Sequence, residues 1–488
     1  SVYRHPGRRH VDEPRGHRGS CLRRSDLLSH EPWDDGERGN ESHRAGLPRG
    51  VHQGAADGVR PRVQSPDPTR DGGGPRVTRR ALADLPLEWA TSDTISRLSP
   101  GGVGLPERAA ALAAFHALPT ESNLLFTGYV DLRAAEVERA APAVLPQEIR
   151  VLPATALPDG AAALVEISGA GIGAYLGAAA TAAGLSIAPL GAAAPMPGAT
   201  EDRTAALVAA LWNVGVSITL RSGRLSAPIV IRVVAPEAGS SLIARIAVEL
   251  GEGAEASIAE EIDGSAAAPG IATSLLATSS EIVLGARATL ALSSIQDLPD
   301  DRAYVTVRRH TFGEKAQLQL AVAQIGARLV RGRIDHHLAG DGSGVRQVEV
   351  VFGAGDQIHD LTTYSLHSGQ KTVGDLLAKG VFAGNARGYI KGVTTIPRSG
   401  RGTNSYLGEF GMLLSKTARS VAIPSLWIDQ PDCERAAHGS SVGPIDPAQI
   451  FYLRSRGLTD AEARRTIVMG FLEPVVAALP LEAEAERL

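Results

Sequence analysis

The feature that most constrains this chain is a long series of short aliphatic and β-branched runs between residues 211 and 428. Each run has the length of an ordinary strand, and Gly, Asp or Pro clusters separate consecutive runs. No long helical pattern intervenes, which argues against a sheet built from βαβ units. The series is typical of a sandwich or barrel or of a stacked β-solenoid, and its periodicity does not separate these folds. The runs cover residues 214–220, 229–234, 241–250, 256–260, 281–284, 289–293, 303–307, 317–322, 345–351, 359–366 and 379–383.

Residues 1–80 differ in composition from the rest of the chain. They are dense in Arg, His, Gly, Pro and Asp and have almost no apolar periodicity, so they bury too little surface to offset the entropy of ordering. We predict a disordered or non-native extension here rather than a metal-binding tail, because the histidines are irregularly spaced. Six of the 13 histidines lie in this stretch: His5, His10, His17, His30, His43 and His52.

Mixed signals over residues 81–210 predict an N-terminal α/β region. Residues 106–118 combine good helix formers with a Pro in the first turn. The glycines at 169, 171 and 173 do not complete a dinucleotide-binding fingerprint, and no suitable acidic residue follows about 20 positions later. We therefore interpret that segment as flexible or required for packing rather than as a phosphate loop.

The last segment, residues 444–488, changes to a helical period. Asp446 and Pro447 predict a helix start, and Gly457 predicts its end. Thr459 and Glu462 form a capping-box signature for a second helix. Apolar residues then recur every three or four positions over 467–479, a stripe that must pack against something.

Charge and cysteine content exclude several classes of function. With 49 Lys+Arg against 53 Asp+Glu, the formal net charge of -4 gives no general attraction for nucleic acid or an anionic membrane. No apolar run reaches the roughly 20 residues that span a bilayer, and no secretory signal is visible. Cys21 and Cys433 are too few for a disulfide framework. We expect a cytoplasmic protein that binds neither nucleic acid nor membrane.

Motifs in the final third of the chain resemble the SufB/SufD family of SUF iron–sulfur cluster assembly proteins. FYLRSRGL at 451–458, TDAEAR at 459–464 and IVMGF at 467–471 resemble its C-terminal helical signature. DLLAKGVFAG at 375–384 resembles a core strand, and HGSSVG at 438–443 resembles the segment that closes the core. Weaker similarity extends back to residues 121–123, and the motifs keep the order of the family.

This resemblance implies a mainly β fold: a right-handed parallel β-helix core at 211–443, an N-terminal α/β region at 81–210 and a C-terminal helical domain at 444–488. It also implies two partners, a SufC-type ABC ATPase that docks on the C-terminal helices and a SufB-type subunit whose β-helix pairs with this one. The stripe beginning at Ile467 fits docking, and part of it is expected to pack on the chain's own β-helix. The residues that we assign to ATPase docking are Phe451, Tyr452, Leu453, Arg454, Arg456, Ile467 and Phe471.

The resemblance further implies a transient iron–sulfur cluster, shared with a partner subunit, for which thiolate and imidazole are suitable ligands. His438 matches the histidine of the closing segment and is the first cluster-proximal candidate. Cys433 is the second, although the SufD pattern places a cysteine two residues before this histidine, where Ala436 stands here. An inert thiol is an equal interpretation of Cys433.

Several alternatives stay open. Residues 404–415 lack the core cysteine expected of SufB, which favours a SufD-type subunit, whereas residues 479–482 are more SufB-like. A divergent paralogue without cluster chemistry and a carbohydrate-active β-helix enzyme are the other hypotheses. No complete catalytic constellation is visible, so we expect no enzymatic activity. His336 and His337 should point to opposite faces of a strand, and His359 and His367 are interpreted as hydrogen-bonded structural residues.

Overall fold

The computed structural model describes residues 85, 87–121, 123, 126, 132–264 and 273–476. The predicted extension over residues 1–80, including Cys21, lies outside the described residues. So does the end of the predicted C-terminal stripe, residues 477–479.

Strands dominate the described residues, and helices lie before and after the long strand series. The helices are α1 Ser92–Arg97, α2 Leu105–Ala117, α3 Ala178–Ala182, α4 Arg203–Leu211, α5 Pro447–Ser455 and α6 Asp460–Val476. The strands are β1 Ile149–Val151, β2 Ala163–Ser168, β3 Gly171–Leu176, β4 Ser186–Pro189, β5 Val214–Leu220, β6 Ile229–Val234, β7 Ser241–Leu250, β8 Glu255–Asp263, β9 Ser274–Leu284, β10 Thr289–Leu298, β11 Arg302–Phe312, β12 Gln317–Gly326, β13 Leu329–Leu338, β14 Gly344–Gly353, β15 Ile358–His367, β16 Val373–Phe382, β17 Arg387–Ile396, β18 Asn404–Leu413, β19 Arg419–Ile428 and β20 Arg435–Pro444.

The strands form two sheets, one of 11 strands and one of 9. From β5 onward, successive strands alternate between the two sheets, and every neighbouring pair within a sheet is parallel. This arrangement is a parallel β-solenoid of about 8 turns. The structure therefore confirms the mainly β, parallel β-helix fold and decides the choice that periodicity left open.

Alternate residues of each strand face the solenoid axis, as the pleat requires. In β13, Val330, Ile334 and Leu338 belong to the main hydrophobic core inside the solenoid. His336 lies on the same face and is buried, whereas His337 is exposed. The prediction that these two histidines point to opposite faces is confirmed.

Glycines occupy one corner of the solenoid, where successive turns approach closely. A Cβ atom added to Gly340 would lie 2.1 Å from the carbonyl carbon of Gly313, and one added to Gly313 would lie 2.8 Å from that of Gly285. Real Cβ atoms do not approach backbone so closely. The Gly residues between the predicted strands are therefore needed for stacking as well as for turning.

The N-terminal region covers the outer face of the 9-stranded sheet. α2 includes the predicted Pro in its first turn, and it packs with α4 in a second hydrophobic core that reaches β9, β11 and β13. Buried salt bridges connect this region to the 9-stranded sheet. Arg331 of β13 pairs with Glu121 at 3.5 Å, and Arg333 pairs with Asp202 at 2.9 Å. β1–β3 extend the 11-stranded sheet and β4 extends the other sheet.

Both C-terminal helices begin where the sequence predicts. The Asp446 carboxylate accepts a hydrogen bond from the backbone N–H of Ala448, with Pro447 as the first residue of α5. Gly457, at φ 99°, follows the end of α5. At the start of α6 the Thr459 and Glu462 side chains accept hydrogen bonds from each other's backbone N–H groups, which is the predicted capping box.

Candidate functional site

The last turn of the solenoid, β19 and β20, forms an open end. Each of these strands pairs with only one neighbour in its sheet, β17 and β18 respectively, so each leaves one edge unpaired within the described part of the chain. Large apolar side chains are exposed there: Trp427 is 52% exposed, Ile428 41% and Val442 38%. Unpaired strand edges beside exposed apolar side chains favour association with another chain.

His438 lies on this open end and faces the solenoid axis. Its pairing partner in β18 is Leu407, which belongs to the buried main core. The register therefore places His438 on the inward face of β20. It is nevertheless exposed, because no further turn covers β20 among the described residues.

Cys433 lies in the turn before β20, half-buried and with a free thiol. Three residues of extended strand, about 10 Å, separate the start of β20 from His438. The structure therefore places Cys433 at a corner and His438 near the middle of a strand. Within the described ranges no group of three or more His, Cys, Asp or Glu side chains could hold a metal ion.

A buried chain of polar side chains crosses the solenoid interior. The Nδ1 atoms of His310 and His336 are 3.0 Å apart, His336 Nε2 lies 2.6 Å from Gln347 Oε1, and Gln347 Nε2 donates to Thr363 Oγ1 at 3.0 Å. Burial lowers the pKa of His336 to about 4, so its ring is neutral near pH 7. These hydrogen bonds could not be predicted from the sequence, because the residues that they join lie 11 to 26 positions apart.

His359 corrects a prediction. The sequence predicts a hydrogen-bonded structural histidine, but His359 is fully buried in β15 and neither ring nitrogen has a hydrogen-bond partner. Burial alone lowers its pKa to about 4. His367 fits the prediction at one nitrogen, since Nδ1 lies 2.9 Å from Thr372 Oγ1.

Two buried carboxyl groups accompany the histidines. Glu349 of β14 is 3% exposed and Glu409 of β18 is 1% exposed. Desolvation raises the pKa of Glu349 to about 7, although Arg308 partly offsets it. Desolvation also raises the pKa of Glu409 to about 8. Both groups therefore hold protons close to neutral pH.

α5 presents an exposed aromatic surface. Phe451 is 74% exposed and Tyr452 is 55% exposed. Tyr452 lines a groove of about 400 Å³ between α5 and α6, and Arg456 lies over its ring at 5.3 Å. The groove is lined by Asp446, Ala448, Gln449, Tyr452, Leu453 and Ile467.

Part of the predicted docking set packs inward. Leu453, Ile467 and Phe471 contact a small hydrophobic cluster between the helices and the end strands. The Lys379 ammonium donates to the backbone carbonyl of Phe471 at 2.6 Å and lies 4.8 Å from its ring. Among the predicted docking residues, Phe451, Tyr452, Arg454 and Arg456 are the exposed ones.

The chain matches known proteins through its solenoid. Residues 233–471 match the family model for the SUF system FeS cluster assembly, SufBD core domain. Over 210 residues the chain is 32% identical to the iron-sulfur cluster assembly protein SufD of Bacillus subtilis (strain 168), covering 43% of this chain and 48% of the relative. The alignment thus spans about half the length of that relative.

More distant relatives cover more of the chain. An iron-sulfur cluster assembly SufBD family protein of Mycobacterium tuberculosis (strain ATCC 25618 / H37Rv) is 25% identical over 299 residues, 60% of this chain and 73% of the relative. One of Staphylococcus aureus (strain MRSA252) is 24% identical over 291 residues, 59% of this chain and 61% of the relative. None of the described helices combines the length and the hydropathy of a membrane-spanning segment.

Proposed function

Since this chain belongs to the SufB/SufD family of iron–sulfur cluster assembly proteins, we propose that it is a non-catalytic, SufD-type scaffold subunit. The scaffold pairs with a SufB-type subunit and docks a SufC-type ABC ATPase. The observation that carries this proposal is the open end of the solenoid, which combines unpaired strand edges, exposed apolar side chains and an inward-facing exposed histidine.

Pairing with the SufB-type subunit takes place at this open end. A partner strand that adds to β20 would satisfy its free backbone groups and cover Val442. Val442→Lys places a charge in that contact and is expected to weaken pairing at least tenfold, as measured by size-exclusion chromatography with light scattering. Val283→Lys, at a valine 49% exposed on β9, is the matched control and should leave pairing unchanged. Equal pairing by both variants would rule out this surface.

The transient cluster is the cargo of the scaffold, and His438 contributes an imidazole to it at the subunit junction. Since the described residues contain no group of three or more suitable side chains, the remaining ligands come from the partner. Anaerobic cluster assembly on the paired subunits, followed by absorption spectroscopy, tests this role. His438→Ala should abolish the cluster signal, whereas His337→Ala, at another exposed histidine, should retain it. A full signal with His438→Ala would contradict this role.

The second candidate function is that of a divergent paralogue that keeps the partners but lacks cluster chemistry. Ala436 stands where the SufD pattern has a cysteine, and Cys433 lies in the turn before β20, which favours this alternative. Paired subunits that form no cluster, with the wild-type chain as well as with His438→Ala, would select this alternative.

The SufC-type ATPase docks on the exposed face of α5. Phe451 and Tyr452 are aromatic side chains with large exposed surfaces beside a groove, which is the composition of interface anchors. Leu453, Ile467 and Phe471 support this face from below, and Arg454 and Arg456 flank it. ATP hydrolysis is supplied by the partner rather than by this chain.

A further inference from the structure

Two buried glutamates lie in register on strands of the same sheet, and both face the interior of the solenoid. Glu349 of β14 pairs with Ala378 of β16, and Ala378 pairs with Glu409 of β18. The carboxyl groups therefore project from strands two apart, on the same inward face, with the short alanine side chain between them. The gap is an internal cavity of about 10 Å³, about the space that one water molecule occupies.

The Glu409 carboxyl group borders this gap and has no side-chain hydrogen-bond partner. The backbone N–H of Ile423 lies close enough to lower its pKa, but the contact is not a hydrogen bond of normal geometry, and desolvation still dominates. Gly392 on the facing strand β17 leaves room for it, since a Cβ there would lie 2.7 Å from Glu409 Oε1. An unpartnered buried carboxyl group is costly, and an ordered water is the usual remedy.

The series of buried, hydrogen-bonded polar side chains ends at the same cavity and provides a hydrogen-bond donor there. His336 Nε2 must donate to the Gln347 carbonyl oxygen, and the Gln347 amide nitrogen donates to Thr363. Thr363 Oγ1 thus already accepts, so its own hydrogen is available to donate. Gln347 and Thr363 both line the cavity. An occupant that accepts this hydrogen would be water rather than a cation.

The charged groups around the two acids are engaged elsewhere. Arg308 of β11 lies near Glu349 but bonds Glu260 of β8. Lys391 of β17 lies near Glu409 but pairs with Asp360 of β15 at 2.5 Å. From β20, the residue paired with Glu409 is the neutral Ser440. Arg308 and Lys391 therefore offset the desolvation of Glu349 and Glu409 only in part, and both carboxyl groups keep a raised pKa.

We propose that Glu349 and Glu409, bridged by one water molecule, form an internal proton-binding site beneath the open end of the solenoid. The water accepts from the Thr363 hydroxyl group and from one protonated carboxyl group, and it donates to the other carboxyl group. Raising the pH above neutrality removes the protons and leaves two like charges facing one small cavity. This inference does not depend on the function proposed above.

Hydrogen-ion titration and infrared difference spectroscopy of the full chain between pH 6 and pH 9 test the site. The wild type should show a protonated-carboxyl band that disappears as the pH rises. Glu409→Gln and Glu349→Gln should each remove about one proton from the titration, and the double variant should remove the band. Glu434→Gln, at an exposed glutamate in the turn before β20, is the control and should change neither measurement.

The wild-type spectrum decides the question even if a variant fails to fold. Absence of a titrating carboxyl band from the wild-type chain labelled with ¹³C-glutamate would overturn the proposal. A high-resolution crystal structure should show one water within hydrogen-bond distance of Thr363 Oγ1 and Glu409. An empty cavity, or a stoichiometric metal ion detected there by elemental analysis, would also overturn it.

Discussion

Glu409 makes the stability of the solenoid depend on pH between about 4.5 and 8. The folded state holds its proton up to a pKa of about 8, whereas the unfolded chain loses it near the ordinary value of 4.5. The folded state therefore binds more protons between these values, so the stability that this proton contributes is lost as the pH rises toward 8. The sign is opposite to that of a salt-bridged carboxylate.

We predict that the free energy of unfolding falls by about 2–3 kcal/mol more in the wild type than in Glu409→Gln between pH 6 and pH 8. Denaturant titrations at several pH values measure this difference. Glu434→Gln should follow the wild-type curve. Parallel curves for wild type and Glu409→Gln would show that Glu409 is ionised in the folded chain.

The buried histidines make the stability of the fold depend on pH below neutrality. The pKa values of His336, His359 and His367 are lowered to about 4, so the folded state keeps these rings neutral while the unfolded chain protonates them near 6.5. Their contribution is present above pH 6.5 and is lost as the pH falls toward 4. Together, Glu409 and the buried histidines should make the free energy of unfolding largest close to neutral pH.

His359→Leu should stabilise the protein, because it removes two buried nitrogen atoms without hydrogen-bond partners. We expect a gain of roughly 1–2 kcal/mol at pH 7. The gain should grow by about 2 kcal/mol at pH 5, where the unfolded wild-type chain is protonated at this residue. Chemical denaturation at both pH values measures it, with His337→Leu as an exposed control. A lower stability of His359→Leu than of the wild type at pH 5 would mean that His359 has a hydrogen-bond partner in the folded protein.

Close stacking at the glycine corner makes the turns between strands sensitive to a single methyl group. Gly340→Ala should destabilise the fold by roughly 2–4 kcal/mol, because its Cβ would overlap the backbone of the preceding turn. Gly470→Ala in α6 should instead be neutral or stabilising by up to about 1 kcal/mol, since nothing lies within 4 Å of its Cβ. Thermal unfolding of both variants gives the comparison, and equal shifts would contradict the stacking argument.

Elements with strong local signals could be predicted from the sequence, and others could not. The predicted runs correspond to strands such as β5–β7, and the caps of α5 and α6 are present. β13 was missed because its outward residues, Arg331, Arg333 and Asp335, are charged and pair with the N-terminal region and with one another. That burial depends on contacts distant in sequence, which a local pattern does not contain.

At the scale of the whole molecule, two surfaces of the described residues are suited to partners: the open end and the exposed face of α5. The sequence pointed to both through His438 and Phe451, because their neighbouring motifs resemble a known family. It gave no sign of the buried acids or of the histidine chain, whose members meet only when successive turns stack. The sequence thus pointed to residues that the structure exposes, whereas the contacts of the polar interior depend on the register of the stacked strands.

The most direct test of the scaffold assignment is an anaerobic binding measurement between this chain and a SufC-type ATPase. The account predicts micromolar or tighter binding by the full chain, and its loss in a chain that ends at Gly443 and in the double variant Phe451→Ala, Tyr452→Ala. Val151→Ala, at a valine 88% exposed on β1, should bind like the wild type. Absence of binding by the full chain, or undiminished binding without α5 and α6, would contradict the account.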